Sequence, residues 1–168
     1  MSGGIIPMET KVLDENKKKI AVMKNIPFFK PFTDDELSVL LANSNWLKYN
    51  AKDVIFQEGD TDSAFYIILK GSVTVRKKDM GVYIKSIGKL DQGQCFGEMS
   101  VITGEPRSAD VVADQETYLL KIDVNTLNIE SDSIHLKSIQ YKFYKIFSAT
   151  LADRLNKLNR EFVKTKWI

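Results

Sequence analysis

A change of hydrophobic period at Trp46 restricts the folds open to this chain. From there to Asp123, short runs rich in β-branched and aromatic residues recur between turn signals, a rhythm that helices do not produce. The runs cover 46–49, 54–56, 64–69, 72–76, 82–87, 110–113 and 117–122. Gly59-Asp60, Lys70-Gly71, Met80-Gly81 and Asp91-Gln92-Gly93 separate them, with glycine on hand wherever a turn needs positive φ. So many short strands at regular spacing predict an antiparallel sandwich, roll or barrel.

Helical spacing holds on either side. In a front end from about 14 to 43, Ile26-Pro27-Phe28-Phe29 is an apolar knot broken by proline. Thr33 reads as an N-cap completed by Glu36, and Leu37, Leu40 and Leu41 supply the buried face of the helix that follows. From about 131 to 167 there are two apolar stripes: Ile139, Phe143, Ile146 and Phe147, then Leu151, Leu155, Leu158 and Phe162. The second alternates steps of four and three, as a coiled-coil seam does, and is suited to packing on the strands or on a second copy. The expected class is α+β, mainly β.

The bulk properties exclude several functions. At 168 residues, 43% hydrophobic and 27% charged, the chain has the makings of one ordinary globular domain with terminal additions. No apolar run approaches the roughly 20 residues of a membrane span, and 1–25 lacks the pattern of a secretory signal, so the cytoplasm is the expected location. Cys95 and His135 are each the only residue of their type, which excludes an intramolecular disulfide or a Cys/His zinc cluster within one chain. Cys95 reads as a small hydrophobe in a packed turn. A formal charge of +2 is too weak to point to DNA. The lysines at 17–19 and the basic residues from Lys137 to Lys166 read as solvated helix faces, with an acidic partner or an anionic lipid surface as the second reading.

The segment 93–109 breaks the strand pattern, and its residue types suit an anion. Gly97 permits close backbone approach, and Glu98-Met99-Ser100-Val101 can form a helical turn with free N–H groups. Arg107, following Pro106, offers a planar fork for two phosphate oxygens. Glu98 can only accept hydrogen bonds when ionised, so its natural partner beside a phosphate is a sugar hydroxyl, and the pairing suggests a nucleotide.

The run Phe96-Gly97-Glu98-Met99-Ser100, followed by Pro106-Arg107-Ser108-Ala109, resembles the phosphate-binding cassette of cyclic-nucleotide-binding domains. That family includes the catabolite activator protein, the regulatory subunits of cAMP-dependent protein kinase and the cytoplasmic domains of cyclic-nucleotide-gated channels. The early helix, Ile55-Phe56-Gln57-Glu58-Gly59-Asp60 and Phe65-Tyr66-Ile67-Ile68-Leu69-Lys70-Gly71 extend the likeness over most of 26–162.

The resemblance implies an antiparallel, jelly-roll-like β-roll flanked by N- and C-terminal helices, with 1–25 as an extension and 26–168 as the domain. It implies a regulatory sensor without catalysis or cofactor, whose ligand is cAMP or cGMP, with cAMP favoured. Glu98 would take the ribose 2′-hydroxyl and Arg107 the cyclic phosphate, with Phe96, Gly97, Met99, Ser108 and Ala109 around them. Gly59 and Gly71 would be turn glycines. Asn156, Asn159 or Arg160 would cover the base from the last helix, and Ser108 would touch a guanine if that were the base. Asp110 departs from the family habit, since an acid facing the phosphate would weaken binding. The output would lie on another chain or on a part of the protein outside this sequence, with a second copy joined through the C-terminal helix or a separate effector protein as the expected partner. An interaction domain that keeps the fold and has lost the ligand is the alternative. A phosphodiesterase is a poor fit, for want of a metal cluster or a nucleophile paired with a base.

Overall fold

The computed structural model describes residues 8–79, 83–127 and 134–165. It divides into two compact units, Met1–Glu130 and Ser131–Ile168, and the first holds all eight described strands. The chain opens with α1 (Met8–Lys24), a 3-10 turn (Pro27–Phe29) and α2 (Asp34–Ala42). Next come β1 (Ser44–Tyr49), β2 (Val54–Phe56), β3 (Ala64–Lys70), β4 (Ser72–Asp79), β5 (Tyr83–Asp91) and β6 (Cys95–Phe96). Helix α3 (Glu98–Thr103), β7 (Asp110–Ala113), β8 (Thr117–Asp123) and α4 (Val124–Leu127) complete the first unit, and α5 (Ile134–Thr165) forms the second.

The strands form two four-stranded sheets, ordered β1-β8-β3-β6 and β2-β7-β4-β5. Every pairing is antiparallel, and successive strands cross between sheets except β4 and β5, which pair with each other within one sheet, an arrangement that agrees with the expected jelly-roll-like roll. The inner faces enclose Tyr66, Ile68, Val73, Leu90, Phe96, Val111 and Leu119, with Leu47, Tyr49, Ile55, Phe56 and Val75 packed around them.

At the front, the capping box is complete: Glu36 N–H donates to Thr33 Oγ1 at 3.3 Å and Thr33 N–H to Glu36 Oε2 at 2.7 Å. Within the apolar knot Ile26, Phe28 and Phe29 are buried, and the Phe28 ring centroid lies 6.1 Å from that of Phe65 at the start of β3. Helix α1 begins at Met8, earlier than the expected start near 14, because nothing breaks the helix in the polar stretch before Asp14.

Two strand expectations needed revision. Cys95 lies in the two-residue strand β6, where Cys95 pairs with Ile67 and Phe96 with Tyr66, rather than in a turn. Strand β5 runs through Gly88 to Asp91, past the expected end at 87; Gly88 sits beside a register shift opposite Val75 and Arg76, a bulge that glycine tolerates within a strand. Met80, Gly81 and Val82 lie outside the described residues.

Gly71, between β3 and β4, has φ +95°, and a Cβ there would come within 2.5 Å of Thr117 Oγ1 and 2.7 Å of Glu116 O. Gly59 has φ +92° with open space around it. Gly71→Ala is expected to destabilise the domain by about 2–4 kcal/mol through strain and overpacking together. Gly59→Ala should cost about 1–2 kcal/mol through strain alone. Equilibrium urea denaturation of the two variants measures the difference, and equal losses would contradict the packing argument.

Candidate functional site

The site is organised by a buried cation. Arg107, only 3% exposed, extends from the segment entering β7 toward the start of β3 and the N-terminus of α3. Its Nη1 donates to Gly97 O at 2.9 Å and to Ser100 Oγ at 2.7 Å, and its Nη2 donates to Ala64 O at 2.6 Å and lies 3.3 Å from Asp62 Oδ2. The guanidinium carbon sits 4.3 Å from the Phe56 ring centroid, a cation–π contact, on a platform where Tyr66 and Phe96 stack at 5.1 Å. Of the five N–H donors, Nε–H alone is buried without an acceptor among the described residues.

Local sequence explains this geometry. Gly97 is the N-cap of α3 at φ +82°, and a Cβ there would lie 2.6 Å from Arg107 Nη1, so only glycine lets the guanidinium reach the carbonyl. Ser100 Oγ donates to Gly97 O at 3.1 Å while accepting from Arg107. The Arg107 main chain is fixed to the loop after β2: Gly59 N–H donates to Arg107 O, and Arg107 N–H to Asp60 O, both at 2.8 Å.

Asp62 is shared by two cations, Arg107 and Lys121, the latter at 3.1 Å. Burial pushes its carboxyl up, but the hydrogen bond and charge of Lys121 and the charge of Arg107 outweigh this and hold it below the usual carboxylate range. Burial and the nearby Asp62 charge push the Tyr66 phenol well up. Asp62 and Ser100 also border a polar cleft of about 350 Å³, so the cage around Arg107 is not sealed.

The structure brings together most of the residues singled out in the sequence. Glu98, at the start of α3, is 1% exposed. Ala109 is buried, Met99 and Ser108 are exposed, and the Ser108 hydroxyl meets Met99 Sδ at 3.9 Å. Phe96 faces the core and contributes to the aromatic platform through its ring. Asp110 pairs in register with Arg76, and its Oδ1 accepts from Glu58 N–H at 2.7 Å, so this carboxylate is engaged with the loop after β2. Asn156, Asn159 and Arg160 lie on α5, exposed and within the second unit. Sequence reading missed Asp62, Ala64, Ser100 and Phe56 as partners of Arg107. Only Ser100 and Phe56 stood within matched motifs, and a backbone carbonyl such as Ala64 O carries no residue-type signal.

The lowered carboxyl of Asp62 has a consequence in acid. A carboxylate depressed in the folded state gives stability that is complete above about pH 5 and lost as pH falls below about 4 toward its folded value. Asp62→Asn is expected to lower stability at pH 7 and to flatten its decline in acid, as measured by urea denaturation across pH. An unchanged slope would contradict the shared ion pair.

The family model for the cyclic nucleotide-binding domain matches residues 46–129, half of the chain. The chain is 35% identical over 101 residues to a cGMP-dependent protein kinase of Plasmodium berghei, covering 60% of this chain and 11% of the kinase. It is 31% identical over 100 residues to the cyclic AMP receptor protein of Thermus thermophilus, covering 60% of this chain and 46% of the receptor. The chain thus spans less than half of either relative. The crystal structure of the Thermus thermophilus catabolite activator protein superposes with a TM-score of 0.65 at 26% identity, over 81% of this chain and 61% of that one. With its jelly-roll-like fold, and with Gly97, Glu98 and Arg107 gathered at one place, this chain belongs to the cyclic nucleotide-binding domain family.

Proposed function

We propose that the domain is a regulatory sensor that binds one cyclic nucleotide per chain, cAMP or cGMP with cAMP favoured, and works without catalysis. The observation that carries this reading is the caged Arg107, a buried cation whose Nε–H lacks an acceptor among the described residues. Arg107 and Lys121 against Asp62 leave one positive charge in this cluster, which suits the single negative charge of a cyclic phosphate diester. A phosphate arriving there would take the Nε–H or share donors now given to protein oxygens, forming charge-assisted bonds away from bulk water. Glu98 would accept from the ribose 2′-hydroxyl, Gly97, Ser108 and Ala109 would lie along the phosphate with Phe96 and Met99 beside them, and the Ser108 hydroxyl would also reach a guanine base.

The cytoplasm is the proposed location; among the described residues no helix is long and apolar enough to cross a membrane. Among them, too, no group of three His, Cys, Asp or Glu can hold a metal ion. The output is proposed to pass through the helical ends to a partner, either a second copy or a separate effector protein. Ligand binding would supply the free energy for that by favouring one helix arrangement over another. Base coverage by Asn156, Asn159 or Arg160 belongs to the same proposal.

Titration calorimetry is expected to give one site per chain, with Arg107→Ala weakening binding by about 2–4 kcal/mol. Glu98→Gln should cost less, about 1–2 kcal/mol, because it exchanges a charge-assisted hydrogen bond for an ordinary one. Heat from neither nucleotide at high micromolar concentration would favour the interaction domain that has lost its ligand. For the helical output, hydrogen exchange should slow in 151–162 and in the cassette around Glu98 on adding nucleotide. Protection confined to the cassette, with undiminished affinity in a chain ending near Thr150, would remove the last helix from the mechanism.

A further inference from the structure

A second charged cluster lies beside the cassette, and no role described so far accounts for it. On β4, Val73 is buried in the core and Val75 packs against it, whereas Lys77, past the bulge opposite Val75 and Arg76, is half exposed at the rim of the sheet. Lys77 also stands directly opposite Lys85 on β5, a like-charge cross-strand pair that destabilises a sheet. Local rules broken in this way are expected where function intervenes.

The Lys77 ammonium lies at the exit of the cassette. Its Nζ donates to Ser108 O at 3.0 Å and is 3.4 Å from Glu58 Oε1. Glu58 is fixed in turn, since its own N–H donates to Asp110 Oδ1 at 2.7 Å. The other Glu58 oxygen, Oε2, is buried without a hydrogen-bond partner among the described residues, so nothing but Lys77 offsets that carboxylate at its side-chain end. Among the described residues the Ser108 hydroxyl, by contrast, has only the weak sulfur contact with Met99. The place of Ser108 is therefore set through its main chain, and its hydroxyl is left available.

We propose that Lys77, braced by Glu58, is a positioning residue that fixes Ser108 and thereby tunes discrimination between adenine and guanine cyclic nucleotides. This rests on the reading of the cassette as a cyclic-nucleotide site with Ser108 near the base. Lys77 acts through the Ser108 carbonyl and needs no contact with the ligand. Without it, the hydroxyl samples more positions, and only a base that uses the hydroxyl is affected.

The test is calorimetric titration of the full chain with cAMP and with cGMP, for wild type, Lys77→Met, Lys77→Arg, Ser108→Ala and Lys77→Met/Ser108→Ala, with a thermal melt of each. Lys77→Met should change the ratio of the two dissociation constants by about three- to tenfold, the worth of one hydrogen bond. Lys77→Arg, which can still donate to the carbonyl, should restore it. In the Ser108→Ala background, Lys77→Met should change the ratio no further. Equal weakening of both nucleotides, no change, or a shift that persists without the Ser108 hydroxyl would overturn the positioning role while leaving the site intact. Failure of the wild type to bind either nucleotide would overturn the ligand reading itself, and this inference with it.

Discussion

Burying a guanidinium is costly unless nearly all of its donors find acceptors and its charge is offset. Arg107 meets that condition by drawing on separate parts of the chain: Asp62 and Ala64 before and at the start of β3, and Gly97 and Ser100 around the N-terminus of α3. Phe56 from β2 lies beneath it. Much of the local architecture answers to this one side chain. Gly97 must lack a Cβ, Ser100 must present a hydroxyl, and the Arg107 main chain must stay bonded to Gly59 and Asp60. Removing a single acceptor would leave a buried donor unsatisfied, whereas a phosphate can take the place of acceptors without that loss.

Under the proposed reading, this arrangement would also give the site a means of signalling. The groups that hold Arg107 belong to the ends of β2, β3 and β6 and to α3, so a ligand that draws on the guanidinium alters the balance of contacts among those elements. Only the difference in affinity between the two arrangements is available to drive change elsewhere. The Lys77–Glu58 cluster is a further brace, joining β4 and the loop after β2 to the cassette exit. The two charge clusters share the chain segment 58–62 and the segment 107–110, and substitutions in them are expected to couple.

Features set by residue type or by a strict period could be read from the sequence. The capping box at Thr33 and Glu36, the turn at Gly71, the runs that became β2 and β7, and the helical turn after Gly97 all belong to this kind. Strand β6 escaped because two residues are too few to show alternation, and Gly88 concealed the length of β5 because a glycine inside a bulged strand has the look of a turn. At the site, Glu98 and Arg107 stood out by chemistry and motif. The cage did not: Ala64 takes part through a carbonyl that every residue possesses, and Asp62 through a sequence separation that only the tertiary fold closes. The Lys77 brace likewise emerges only once the fold brings β4 beside Ser108 and Glu58.

The central claim is that Arg107 is the anion-binding group of a cyclic-nucleotide site, and its side-chain N–H signals report on that directly. Nitrogen-edited NMR of the full chain, titrated with cAMP, cGMP and 5′-AMP, follows Arg107 Nε–H alongside the amides of Gly97, Glu98 and Ala109. The account predicts that a cyclic nucleotide shifts all four together and saturates at one equivalent, with Nε–H moving downfield as it gains an acceptor, while 5′-AMP produces much smaller changes. An Arg107 Nε–H signal unmoved by either cyclic nucleotide, or moved equally by 5′-AMP, would contradict it.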